Sequence, residues 1–528
     1  MQTPSPAPWW RESVCYQIYV RSFADGDGDG IGDLVGIRDR LPYLAQLGVD
    51  SVWITPFYAS PQHDHGYDVS DHRDVDPLFG TLADFDAMLA TAHHLGIKVI
   101  TDLVPNHTSN EHPWFVEALA AQASSPARDR YVFRDGTGQR GSQPPNNWQS
   151  MFGGPAWTRV EDGQWYLHLF DSSQPDLNWW NDEVGDEFEA ILRFWLERGV
   201  DGFRVDVAHG LYKPLELTPR RPGERSPHPM WDQPEVHEVY RRWNKVLSEY
   251  DGDRMAVAEA WTDSAESMAR YVRPDELQQA FNFKWLEAPW SAAAFREVIT
   301  ATLAAVKLVS ASPTWVLSNH DVVRHTTRYG GGAIGLERAR AAVLTMMALP
   351  GSAYLYQGEE LGLEQVEVPP AMRQDPSYHR TVGADPGRDG CRVPIPWSGV
   401  TPPYGFGPGS GQPWLPMPEA CAELTVERQE ADPASTLSFY RTLLAMRGEA
   451  TGGLGTEVTM LVSAPGTLTF RRGEAGSGLV CMVNCSARPT SVPPEAGELL
   501  ISSGPGLVDG PGGARRLPAN TAAWFRPT

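Results

Sequence analysis

Positive charge is scarce in this chain: 44 Lys and Arg face 66 Asp and Glu, a formal net charge of −22. That balance argues against nucleic acid or an anionic membrane as the main partner, since both recruit cations. Long apolar runs are missing as well. With no stretch of eighteen apolar residues, no segment reads as a membrane span. The opening MQTPSPAPWWRESVCYQIYV has no basic segment leading into an apolar one, so no secretory signal is read and a soluble, cytoplasmic protein is expected. Cysteine is sparse and irregular. Cys15, Cys391, Cys421, Cys481 and Cys485 are odd in number and unevenly spaced, which does not look like a disulfide framework.

What remains is an ordinary globular composition. The 528 residues are 41% apolar and 21% charged, enough for one large barrel with attachments or for several domains. Trp is abundant at 19 copies, and its flat apolar ring with one polar edge suits sugar binding as well as core packing. Nothing in the composition fixes an oligomeric state.

Strand-like and helix-like segments alternate along the chain. CYQIYV, DSVWITP, IKVITDLV, DGFRVDVA, MAVAEAW, AFNFKW, TWVLSNHD and SAYLYQG read as eight strands, most of them followed by amphipathic stretches such as LVGIRDRLPYLAQLG. Eight such units predict an α/β fold, a (β/α)8 TIM barrel. The pattern breaks after the third strand, where a Pro-, Gly-, Asn- and Trp-rich segment shows no long helical period. It changes again near the end, where GTLTFRR, LVCMVNC and NTAAWFRP read as short antiparallel strands. The expected organisation is a barrel over 1–104 and 179–448, an inserted domain over 105–178 and a C-terminal β-sandwich over 449–528.

In such a barrel, functional groups gather at the carboxyl ends of the strands. Strand four ends in Arg204 and Asp206, strand five in Glu259, and strand seven in His320 and Asp321; Tyr67 and Asp68 follow strand two. One acid at a strand end is usually a cap or an ion pair. Three acids beside Arg or His point to a shared catalytic pocket.

These residues carry a resemblance. DLVPNH (102–107), GFRVDVAH (202–209), AEAW (258–261) and SNHD (318–321) resemble, in order, the four signature regions of the α-amylase family, glycoside hydrolase family 13. QPDLN (174–178), GYDVSD (66–71) and GRDGCRVPIPW (387–397) look like its α-glucosidase and oligo-1,6-glucosidase branch. The resemblance implies a retaining glycosidase with Asp206 as nucleophile, Glu259 as acid/base and Asp321 as the acid that grips sugar hydroxyls. It implies that Arg204 keeps the nucleophile ionised and that His107 and His320 donate to the sugar. Asp68 and Arg392 match a pair that closes an exo-acting pocket around one glucose, Tyr67 stacks on that glucose, and Phe170 and Gln174 line the mouth. Val207, just after the nucleophile, matches α-1,6 enzymes, whereas Ala208, His209 and the GRDGCRVPIPW stretch match maltose-type enzymes. A small oligosaccharide is the expected partner, cleaved at maltose-type α-1,4 bonds or at α-1,6 bonds. A trehalose synthase on the same scaffold is the alternative activity. A catalytically inactive binding protein is the lesser one.

DGDGDGIGD (25–33) admits two readings. It is an acidic turn, or it is a cation loop with Asp25, Asp27, Asp29, the Ile31 carbonyl and Asp33 at positions 1, 3, 5, 7 and 9; Gly36 at position 12 rules out an EF-hand. The resemblance favours a structural Ca2+ or Mg2+ in this loop.

Overall fold

The computed structural model describes residues 7–221, 228–409, 411–510 and 513–527. The first six residues, where the amino-terminal stretch begins, lie outside them.

Eight parallel strands form the centre: β1 (Val14–Ile18), β2 (Ser51–Ile54), β3 (Lys98–Leu103), β4 (Gly202–Val205), β5 (Met255–Ala258), β6 (Gln279–Ala280), β7 (Thr314–Val316) and β8 (Ser352–Tyr356). They are hydrogen-bonded in the order β6-β5-β4-β3-β2-β1-β8-β7, a barrel open only between β6 and β7. The segment read as the sixth strand, AFNFKW, is mostly something else. Asn282 caps a helical turn over Phe283–Leu286 by accepting the Trp285 N–H, so the strand stops at Ala280.

Side chains alternate along a strand, so every second residue faces the barrel interior. Cys15, Ile100, Val257, Val316 and Tyr354 pack there with Trp53 and Phe281. Two residues further along β3 and beyond β4, the same alternation turns Asp102 and Asp206 inward, and β3 and β4 align Asp102 beside Arg204. The interior thus changes from apolar to charged at the carboxyl end. Outside, amphipathic helices close the core. Asp182–Glu197, capped by Asn181, buries Val184, Phe188, Ile191, Leu192, Trp195 and Leu196 on one face.

After β3 the chain makes an excursion that returns beside its own start, where His107 and Asp176 form an antiparallel bridge. It holds a short helix, Pro113–Ala120, and a three-stranded sheet whose middle strand, Gln164–Leu167, lies between Phe133–Asp135 and Trp157–Arg159. Its core of Trp148, Trp157, Leu167 and Leu169 also takes in Leu217 and Met230 from the loop after β4. The C-terminal part is antiparallel, a five-stranded and a three-stranded sheet. Trp524 anchors it to the barrel helix Gly332–Ala348 by donating Nε1–H to Leu344 O at 2.9 Å.

Candidate active site

The charged layer is built around one guanidinium. Arg204, 2% exposed, is shared by three carboxylates. Its Nη1 lies 2.9 Å from Asp102 Oδ1 and 2.5 Å from Asp206 Oδ1, and its Nη2 lies 2.8 Å from Glu259 Oε2. The rings of Trp53 and Tyr67 flank it at 5.0 and 5.7 Å. Glu259 is held at both oxygens: Oε2 also accepts the Val207 N–H at 2.9 Å, and Oε1 accepts the Trp261 Nε1–H at 3.1 Å. Val207 makes its bond from a left-handed backbone, φ 46°, which costs a β-branched residue of order 1–3 kcal/mol.

Three carboxyls around one buried cation leave an excess of negative charge. Burial pushes the Asp206 carboxyl well above the ordinary range, Arg204 opposes it, and Glu259, Asp102 and Asp321 add to the rise. Burial likewise raises Asp102 to about 6 against the pull of Arg204. Arg204 thus favours the ionised form of Asp206, while burial and the three neighbouring carboxyls oppose it.

Asp321 has the opposite environment. Its side chain is 24% exposed, against 8% for Asp206 and 11% for Glu259. Burial would raise its carboxyl, but the guanidiniums of Arg388, Arg392 and Arg204 hold it well below the usual range. Arg392 Nη2 lies 2.9 Å and Arg388 Nη1 3.2 Å from Asp321 Oδ1.

The expected pair between Asp68 and Arg392 does not form. Asp68 is fully buried in its own turn, accepting from Ser60 Oγ and from the His63 and Asp64 N–H groups. The pair that does form is Asp64 with Arg388, at 2.7 Å, and Arg388 also reaches Asp375 through Nε at 2.6 Å. The reason is local. Gly66 has φ 105° and a Cβ there would stand 2.7 Å from Pro56 O, so the chain doubles back and sets Asp64, not Asp68, against Arg388. Sequence reasoning missed Asp64, Arg388, Asp102 and Trp261. Arg388 and Trp261 lie within stretches already singled out, and Asp102 follows from the period of two along β3.

Tyr67 and His320 stack at 5.4 Å with ring planes 7° apart. Gln17 Nε2 donates to His320 Nδ1 at 2.7 Å, so the imidazole carries its proton on Nε2 and directs it to Tyr67 Oη at 2.8 Å. Tyr67 in turn donates to Asp102 Oδ2 at 3.1 Å. Burial keeps His320 neutral, and it lowers His107 to about 4. Both ring nitrogens of His107 are engaged, one by Tyr67 O at 3.1 Å and the other by the Asn106 amide at 3.1 Å. His107 therefore supports Tyr67, where the sequence reading had it donating to a sugar. Gln174 donates to Asp64 Oδ2 at 3.1 Å, and Phe170 packs between His107 and Phe152.

In the loop after β1, carboxylate oxygens of Asp25, Asp27 and Asp29 lie within 4.8 Å of one another, a set suited to a hard cation. Asp33 is not part of it. As the N-cap of the helix Leu34–Leu47 it accepts the Gly36 N–H at 2.6 Å and the Gly26 N–H at 2.8 Å. Ile31 donates its N–H to Asp29 Oδ1 at 2.7 Å.

Residues 17–452 match the model of the alpha amylase catalytic domain. A protein of Rhizobium meliloti (strain 1021) named "Probable alpha-glucosidase" is 40% identical over 510 residues, covering 90% of this chain and 89% of that one. An oligo-1,6-glucosidase of Parageobacillus thermoglucosidasius is 36% identical over 541 residues, 94% of each chain. Among solved structures, the alpha-glucosyl transfer enzyme XgtA superposes with a TM-score of 0.88 at 38% identity, covering 99% of this chain and 100% of that one.

Proposed function

We propose that this chain, which belongs to the alpha-amylase family of glycoside hydrolases and to its α-glucosidase and oligo-1,6-glucosidase branch, is an exo-acting, retaining α-glucosidase. It releases glucosyl units from the non-reducing ends of short oligosaccharides. The observation that carries the reading is the Arg204 fork, which holds Asp206 and Glu259 from neighbouring strands on its two terminal nitrogens.

In this reading Asp206 attacks the anomeric carbon and forms a glucosyl ester. Glu259 gives its proton to the departing glycosidic oxygen, then takes one from the water that hydrolyses the ester. The first step needs a proton on Glu259 and an ionised Asp206. Asp321, held ionised by its cations, accepts hydrogen bonds from sugar hydroxyls and stabilises the oxocarbenium-like transition state. Asp64 and Arg388 stand where they would hold the far end of one glucose, with Tyr67 as its platform. Maltose-type α-1,4 bonds are the favoured substrate and α-1,6 bonds the second; one methyl-sized change at Val207 shifts such a choice by only about 1–3 kcal/mol.

Asp206→Asn and Glu259→Gln should each lower turnover of maltose and isomaltose by more than about a thousandfold while the melting temperature holds. Near-wild-type hydrolysis by either variant would overturn the assignment. Glucosyl transfer to an acceptor other than water is the second reading, favoured by the 38% exposed Trp261 ring beside Glu259, which offers a face to a sugar. Accumulation of trehalose or longer transfer products from maltose, in place of glucose, would decide for it.

We also assign Asp25, Asp27 and Asp29 to a structural Ca2+ or Mg2+. The loop they lie on packs against the long segment after β8, where Trp414 N–H meets Gly30 O at 3.0 Å and Asp25 N–H meets Phe406 O at 2.9 Å. Bound there, the ion supplies charge neutralisation that holds the two loops together.

A further inference from the structure

Glu259 has four in-plane positions for hydrogen bonds, two on each carboxyl oxygen. Both positions on Oε2 face donors, Arg204 Nη2 at 2.8 Å and the Val207 N–H at 2.9 Å. No position is left there for a proton. Oε1 faces one donor, the Trp261 Nε1–H at 3.1 Å, and so has one position open. The indole is not free to swing away. It lies on the Phe283 ring with centroids 3.9 Å apart and planes 10° apart, and Phe283 is buried at the start of the helical turn capped by Asn282. Trp261 itself is 38% exposed, so the face of its ring away from Phe283 is open.

We infer that Trp261 is a positioning residue that places the acid/base proton of Glu259 on Oε1 and aims it at the leaving oxygen. The inference rests on the glycosidase reading above. As the proton leaves, Oε1 gains negative charge and the indole hydrogen bond strengthens, so the contact favours the transition state over the ground state. In the second half of the cycle the same oxygen takes the proton from water. Without the indole N–H, Oε1 has two open positions and the proton loses its direction.

The test compares two leaving groups. 2,4-Dinitrophenolate leaves an α-glucoside without protonation, whereas the sugar leaving a disaccharide must take a proton. For Trp261→Phe, which keeps the stack on Phe283, kcat on the disaccharide cleaved by the wild type should fall by about 10–100-fold with KM within about threefold. On the dinitrophenyl glucoside kcat/KM, which reports only the glycosylation step, should fall by less than about threefold, and the comparison between substrates is made in kcat/KM. Trp261→His, which restores a ring N–H, should recover part of the disaccharide rate without changing the dinitrophenyl rate. Equal losses on both substrates, or a loss confined to KM, would overturn the inference. If Trp261→Phe fails to fold, Trp261→Leu takes its place: a loss selective for the disaccharide supports the inference, and equal losses on both substrates overturn it. A wild type that cleaves neither substrate would instead sink the glycosidase reading itself.

Discussion

Arg388 offers the sharpest quantitative test of the pocket. Its side chain is 17% exposed and meets Asp64 at 2.7 Å, Asp375 at 2.6 Å and Asp321 at 3.2 Å, with its guanidinium 4.8 Å above the Phe152 ring. Burial already raises Asp64 to about 6, with Arg388 the largest influence pulling it down. Arg388→Ala removes that pull, so Asp64 moves further up and its charged form is less favoured. Breaking a buried pair costs about 3–5 kcal/mol, shared between the fold and the transition state. A share of about 1.5–3 kcal/mol in substrate binding corresponds to roughly a 10–150-fold loss in kcat/KM. Arg388→Lys should fall between wild type and Ala, since a point charge cannot reach three carboxylates as a planar fork does. The assay is kcat/KM on the cleaved disaccharide for wild type, Arg388→Ala, Asp64→Asn and the double variant. Coupling of at least about 1 kcal/mol between the two sites is expected. An Arg388→Ala enzyme within threefold of wild type, or strictly additive losses, would refute the reasoning.

Two predictions concern stability. Dialysis against a chelator should lower the melting temperature while leaving kcat per folded molecule intact, and Asp27→Ala should reproduce the shift; lost catalysis at unchanged stability would sink the structural role of the ion. At the opposite face of the barrel, Asp201 meets Lys98 at 2.9 Å, Arg254 at 2.8 Å and His93 at 2.7 Å. Burial alone would raise Asp201, but hydrogen bonds from His93, the Val99 N–H and Lys98 hold it below the usual range. Its folded value being depressed, its contribution is present above the unfolded value of about 3.9 and is lost as pH falls through the folded one. Asp201→Asn should thus destabilise by about 1–3 kcal/mol at pH 7 in urea unfolding, discounted for its partly exposed partners, and the two curves should converge below about pH 4. A pH-independent difference would assign the cost to packing instead.

The barrel was legible because its signals are local. Period-two and period-3.6 patterns mark strands and helices within a dozen residues, and Asp206, Glu259 and Asp321 sit where such strands must end. The sixth strand was misread because Asn282 converts an aromatic-rich run into a capped turn. Asp68 and Asp64 differ by one doubling of the loop at Gly66, and no periodicity records that turn.

The sequence by itself determined the fold class, the family and which three acids stand at the strand ends, since alternation along β3 and β4 orients Asp102, Arg204 and Asp206 by local geometry alone. Tertiary structure decided the partners. Whether Arg388 or Arg392 meets Asp64, which charges surround Asp206, and which oxygen of Glu259 is left open depend on loops converging from β2, β4, β5 and β8. Charges and hydrogen bonds act through space, and those distances exist only once the barrel has closed.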